Sequence, residues 1–268
     1  MKKILKILLG IVACLIFSMQ TVQAKENIPT LFVHGWGSSY RAEEHMVKAA
    51  VKAKVTKTVV RIDVDIYGQA HLVGDLSKNA KDPLVEINFE NNKNVNAMME
   101  AQYLKAAVEL LQTKYKFKKL NFVGHSMGNS AILYYLRDNA ADRDLPKLNK
   151  QVALAAFPNG LVDEMPKDVM LDKTGRPSVT AGDFENFLSL KTTYPKDAQV
   201  LNIYGNILDG SNSDGPVPVK SAQTLHYLVC PRAKSYQEKA IRGKMGQHSK
   251  LHDNAQVDRL LLKFLWGK

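Results

Sequence analysis

The stretch Leu120-Asn121-Phe122-Val123-Gly124-His125-Ser126-Met127-Gly128 constrains this chain more than any other. It reads as an apolar strand, then Gly-x-Ser-x-Gly, then a helix running from Ser126 to Asn139. A serine in that setting sits on a turn so sharp that strand and helix meet at close range. Gly124 and Gly128, lacking Cβ, are what permit the approach. The turn lifts Oγ above the sheet edge, and the helix start brings positive dipole to any negative charge that develops beside it. Gly-x-Ser-x-Gly alone is a weak signal; the strand before it and the helix after it give it weight.

The rest of the chain repeats the strand–helix alternation. Ile28–Val33, Thr58–Tyr67, Lys119–Val123, Gln151–Phe157 and Ala198–Tyr204 read as strands stopped by glycine or proline. In Asn94–Tyr115, Met99, Tyr103, Ala107 and Leu111 recur at i+4. The closing segment places Val257, Leu260, Leu261, Phe264 and Leu265 on one helical face. The pattern predicts an α/β fold, a mostly parallel central sheet flanked by helices, built as one domain over residues 25–268. Two segments interrupt it. Residues 69–92 read as an inserted β-hairpin, from His71-Leu72-Val73 and the alternating Leu84–Phe89. Residues 160–196, with Pro166, Gly175, Pro177, Gly182 and Pro195, read as a lid-like insertion.

A serine raised on such a turn needs an oxyanion site, a base and an acid. The first strand ends Phe32-Val33-His34-Gly35-Trp36-Gly37, where two glycines let the backbone turn and aim the Trp36 amide inward. Trp36 and Met127 N–H are therefore the expected oxyanion donors, and His34 is expected to brace the loop. In chain order the acid and then the base follow the serine. After Ala198–Tyr204 come Asp209 and Asp214. Asp214 is preferred because Asp-x-x-Val-Pro ties it to an apolar helix start, and Asp209 is the alternative, nearer the strand end. His248 is preferred as base, following a strand over Tyr236–Arg242. His252, close to the cap of the last helix, is the alternative. The Asp/Asn/Ser run near 209–214 fails as a calcium loop, since Asp214 and Lys220 stand where Gly and Glu are required. His248 and His252 have the spacing of a zinc pair, but Ser249 replaces the glutamate. No cofactor or metal is expected. His45, His71 and His226 are expected to be surface or packing residues.

The N-terminus reads as a secretory signal over 1–24. Lys2, Lys3 and Lys6 precede the apolar run Ile7–Phe17, and Val22-Gln23-Ala24 gives the small-residue cleavage pattern. A retained anchor and lipidation at Cys14 are the alternatives. Removing 1–24 leaves Cys230 as the one cysteine, so no internal disulfide is expected, and Cys230 itself reads as a packing residue. Removal also takes three lysines and no acid, lowering the formal charge from +11 to +8, which suits an exported protein held near an anionic cell envelope. It does not indicate nucleic acid, because the basic residues are dispersed outside Lys114–Lys119 and no nucleic-acid motif is present.

Taken together, His34-Gly35-Trp36-Gly37, Gly124–Gly128, Ser213–Pro218 and His248–His252 resemble the α/β-hydrolases of the DUF915 group from Gram-positive bacteria, over nearly all of the chain after the leader. Around the motifs the chain is also similar to small bacterial lipases, whose base precedes a Leu-x-x-x-x-Gln-Val stretch. Leu251 and Gln256-Val257 put His248 in that place. The resemblance implies an α/β-hydrolase fold and a Ser126–Asp214–His248 triad. The expected activity is hydrolysis of small-molecule or lipid carboxylic esters through an acyl-enzyme, by a secreted or cell-surface protein. An acyltransferase on the same triad and a non-catalytic surface-binding protein on a hydrolase scaffold are the competing readings.

Overall fold

In the computed structural model, residues 27–77 and 79–268 are described. The leader expected over 1–24, with Cys14, lies outside them. Eight strands form one sheet: β1 (Thr30–Val33), β2 (Val59–Val64), β3 (Ala70–Val73), β4 (Leu84–Phe89), β5 (Lys119–His125), β6 (Lys147–Leu154), β7 (Gln199–Asn206) and β8 (Ser235–Arg242). Their order is β3-β2-β4-β1-β5-β6-β7-β8, and each neighbouring pair is parallel except β2 with β3. The helices are α1 (Glu44–Lys52), α2 (Ala97–Tyr115), α3 (Met127–Asn139), α4 (Leu190–Thr193), α5 (Val219–Gln223), α6 (Leu225–Val229) and α7 (Ala255–Trp266). This is the α/β-hydrolase architecture.

A strand covered on both faces is a nearly continuous apolar run. β1, at the middle of the sheet, is Thr-Leu-Phe-Val and wholly buried. Because side chains alternate across a strand, Phe122 of β5 enters the core shared with α2 and α3, while Val123 enters the one shared with α1 and α7. The long helices have local stops. Asn96 Oδ1 accepts from the Met98 and Met99 amides at 3.0 and 3.2 Å, and α2 ends where Lys116 turns left-handed. Asn254 Oδ1 takes the Gln256 amide at 2.8 Å to start α7.

The hairpin expected within 69–92 is not formed. β3 pairs antiparallel with β2, across a turn in which Asp65 accepts the Tyr67 and Gln69 amides, and forms the sheet edge. β4 lies elsewhere, parallel between β2 and β1. Burial is the reason. Leu84 to Ile87 are all buried, Glu86 included, and an inserted hairpin could not cover both faces of that run.

Residues 160–196 hold the Leu171–Pro177 bridge, a 3-10 turn over Phe184–Phe187, and α4. Val169, Phe184, Phe187, Leu190 and Tyr194 anchor the segment in the interior. Cys230 is half-buried after α6, its thiol pushed up by burial. Among the described residues no helix is long and apolar enough to cross a membrane.

Candidate active site

Parallel strands all deliver their following loops to one edge. In this sheet the loops after β1, β5, β7 and β8 bring the five expected site residues to that edge. Ser126 joins β5 to α3 with φ 51° and ψ −125°, a strained conformation costing about 1–3 kcal/mol that the surrounding structure must hold in place. Its amide donates to Leu154 O at 2.9 Å, and its carbonyl accepts from Asn129 N at 2.9 Å. Gly128 is required here: a Cβ on it would lie 2.3 Å from Val33 O and 2.7 Å from His34 O.

The acid and base loops cross over the end of β7. A Cβ on Gly205 would meet Asp214 Cβ at 2.7 Å and would overlap Gly246 O, so only glycine lets the two loops converge. Asp214 is buried. Its Oδ1 accepts from Val217 N at 2.8 Å, and Pro218 then caps α5, so the Asp-x-x-Val-Pro pattern does hold the acid at a helix start. Its Oδ2 lies 2.8 Å from His248 Nδ1, and the His248 amide donates to Asp214 O at 2.9 Å. His248 Nε2 lies 2.9 Å from Ser126 Oγ. A carboxylate only accepts, so Nδ1 carries the proton and Nε2 is left to accept from the serine hydroxyl. The alternatives are not in this chain of contacts. Asp209 is exposed and accepts from the Ser211 amide at 2.9 Å, and His252 packs edge-on against His125 at 4.7 Å between centroids.

The β1 loop bears the expected donors. His34 is buried; its Nε2 accepts from Phe89 N at 3.1 Å and its Nδ1–H donates to Gly35 O at 2.8 Å. Burial holds the imidazole below its usual range, in keeping with that neutral tautomer. His34 thus braces the loop. The Trp36 indole donates to Lys93 O at 3.0 Å, and Gly37 N to Asn92 O at 2.6 Å, pinning the loop to the one after β4. Among the described residues neither the Trp36 nor the Met127 amide donates to another protein group.

One residue was missed. His125, the first variable position of the serine motif, is buried, and its Nε2–H donates to His248 O at 3.1 Å. Its ring packs 4.8 Å from that of His248. Burial first, and then the rings of His248 and His252, hold His125 well below the usual imidazole range. The motif marks this position as variable, so spacing alone could not reveal it. His45 instead lies between Asp253 and Asp258, both at 3.3 Å. Among the described residues no group of three His, Cys, Asp or Glu side chains is gathered as a metal site.

The family described as an alpha/beta hydrolase of unknown function, DUF915, matches residues 18–268. Among solved structures, a gene product of Listeria innocua is similar with TM-score 0.83 and 27% identity, over 91% of this chain and 95% of that one. A protein of Lactobacillus plantarum described as a candidate cell surface hydrolase gives TM-score 0.72 at 20% identity, over 90% and 91%. A lipase-esterase related protein of Clostridium acetobutylicum gives 0.50 at 15% identity, over 90% and 96%, a likeness of fold. No curated protein matches the chain.

Proposed function

The chain belongs to the DUF915 family of α/β-hydrolases, and from that premise we propose that it is an exported serine hydrolase that cleaves carboxylic esters. The observation that carries this reading is the unbroken contact chain from Ser126 Oγ through His248 to Asp214, at 2.9 and 2.8 Å. Ser126 Oγ attacks the ester carbonyl while His248 Nε2 takes its proton. Asp214 fixes the imidazole tautomer and stabilises the imidazolium. The oxyanion of the tetrahedral intermediate lies against the Trp36 and Met127 amides, each such donor being worth about 3 kcal/mol. Collapse of the intermediate breaks the C–O bond, and His248 returns the proton to the leaving alkoxide. Water, deprotonated by His248, then releases the acid and restores Ser126.

The substrate we infer is a small or lipidic ester with an apolar acyl group. Large apolar side chains stand exposed on the loops of the site's edge, among them Trp36, Val162, Leu208 and Met245. Exposed apolar side chains on the loops around a nucleophile offer an acyl chain apolar surface. Export rests on the leader read over 1–24, and the likeness to a candidate cell surface hydrolase agrees with it.

The test is a panel of p-nitrophenyl esters of increasing chain length, with fluorophosphonate labelling, on wild type and Ser126→Ala. Wild type is expected to hydrolyse and to label, and Ser126→Ala to do neither. Labelling that persists in Ser126→Ala would remove the assignment.

A further inference from the structure

We propose that the edge of the sheet where the parallel strands begin, opposite Ser126, docks on an anionic lipid bilayer and points the active site away from that membrane. β5, β6, β7 and β8 are adjacent and parallel, so their starts line one edge. Each start carries exposed cations: Lys116 and Lys118 before β5, Lys147 on β6, Lys196 before β7, and Arg232 and Lys234 before β8. The exposed acids among these starts are Asp142, Asp144 and Asp197. On the loops at the other end of the strands the balance reverses, and acids outnumber bases. This edge is thus net basic, whereas the loops around the site are net acidic.

Two observations favour a bilayer over a soluble polyanion. The first is a groove of about 680 Å³ opening on this edge between α3 and the starts of β5 to β7. Leu136 and Leu148 contribute apolar lining, and Lys147, Lys196 and Lys234 line it too, so it offers an amphiphile both kinds of contact. The second is the position of β1. It starts at the same edge as β5, with which it pairs in parallel, so the segment read as a leader joins the fold at the basic edge. β5 spans its seven residues from this edge to Ser126, a height of roughly 23 Å at the usual strand rise. The site therefore receives substrate from the side away from the docked membrane.

The test compares binding of the full chain to phosphatidylglycerol/phosphatidylcholine vesicles and to pure phosphatidylcholine vesicles by co-sedimentation. Two variants lose equal charge. One carries Lys118→Gln, Lys147→Gln, Lys196→Gln and Lys234→Gln. The other carries Lys93→Gln, Lys167→Gln, Lys244→Gln and Lys250→Gln, all on the opposite loops. Each lysine at an anionic leaflet strengthens binding several-fold, so the first variant should lose about tenfold or more, with the loss shrinking in high salt. The second should stay within about twofold, its charges lying beyond a Debye length from the surface. Acetylation of wild type on vesicles should spare Lys118, Lys147, Lys196 and Lys234 while Lys93, Lys167, Lys244 and Lys250 react, which decides the matter even if a variant folds poorly. Equal losses in both variants, no preference for phosphatidylglycerol, or equal acetylation at both edges would overturn the proposal. So would competition by polyphosphate to the full extent of vesicle binding. No readout uses ester hydrolysis, so failure here and failure of the proposed activity are separable.

Discussion

His248 meets Ser126 through one ring nitrogen and Asp214 through the other, and each alternative to these partners lies outside that line. Asp209 is nearer the end of β7 in sequence, yet it spends its carboxylate on the Ser211 amide. Asp214 was legible because Val217 and Pro218 follow it: one donates to its Oδ1, and the other caps the next helix. His125 was not legible, since which way a variable motif residue points is decided by packing against the rings of His248 and His252. The choice of partners is open to a paired measurement. Asp214→Asn should lower kcat by about 10,000-fold, because the amide can hold His248 in the wrong tautomer. Asp209→Asn should leave kcat near wild type, having no contact with an imidazole. His248→Ala should likewise reduce turnover to the residue left by oxyanion binding, whereas His252→Ala should retain activity. Equal losses in either pair would reassign the acid or the base.

Between the elements, one tight joint is where α3 begins against the end of β1. Gly128 makes it possible, and its two nearest obstacles are the backbone carbonyls of Val33 and His34, which cannot rotate away. Gly128→Ala must therefore separate β1 from α3, an overpacking cost of about 1–3 kcal/mol. Because Trp36 stands on the loop leaving β1, the shift also moves one proposed oxyanion donor. The expected outcome is a lower Tm with kcat falling more than KM rises. A stability loss with unchanged kcat would separate the joint from the oxyanion site. That joint was readable from the glycines around the serine. The path of 69–92 was not, for a physical reason. Leu84–Phe89 alternates in sequence like a half-exposed strand because Glu86 occupies an inward position, yet the position is buried and the strand central. A buried carboxylic acid imitates a solvent-facing residue in any reading that equates charge with exposure.

Such acids give the whole molecule a distinctive dependence on pH. Burial pushes Glu100 up to about 8 and Glu86 up to about 7, and raises Glu43 well above the carboxylate range. Glu43 has both oxygens, and Glu100 one, without a hydrogen-bond partner among the described residues. The interior thus takes these groups in protonated form. The buried imidazoles act in the opposite sense: His34 and His125 are held below 6.5, so the stability they contribute is present above 6.5 and falls away as pH drops. For a carboxyl raised in the folded state, the folded protein binds the extra proton. Its contribution is complete below the unfolded value near 4.5 and is lost as pH rises to the folded value. Between pH 6.5 and 8 the imidazole contributions are already in place, and the loss belongs to the acids. Glu100, with a value of about 8, should account for a fall of about 1–2 kcal/mol in unfolding free energy across that window. Glu100→Gln keeps the shape and removes the titration, so urea denaturation at pH 6.5 and 8 should show a flatter profile for the variant than for wild type. Parallel profiles would mean that Glu100 is ionised in the fold and has found a cation to pair with.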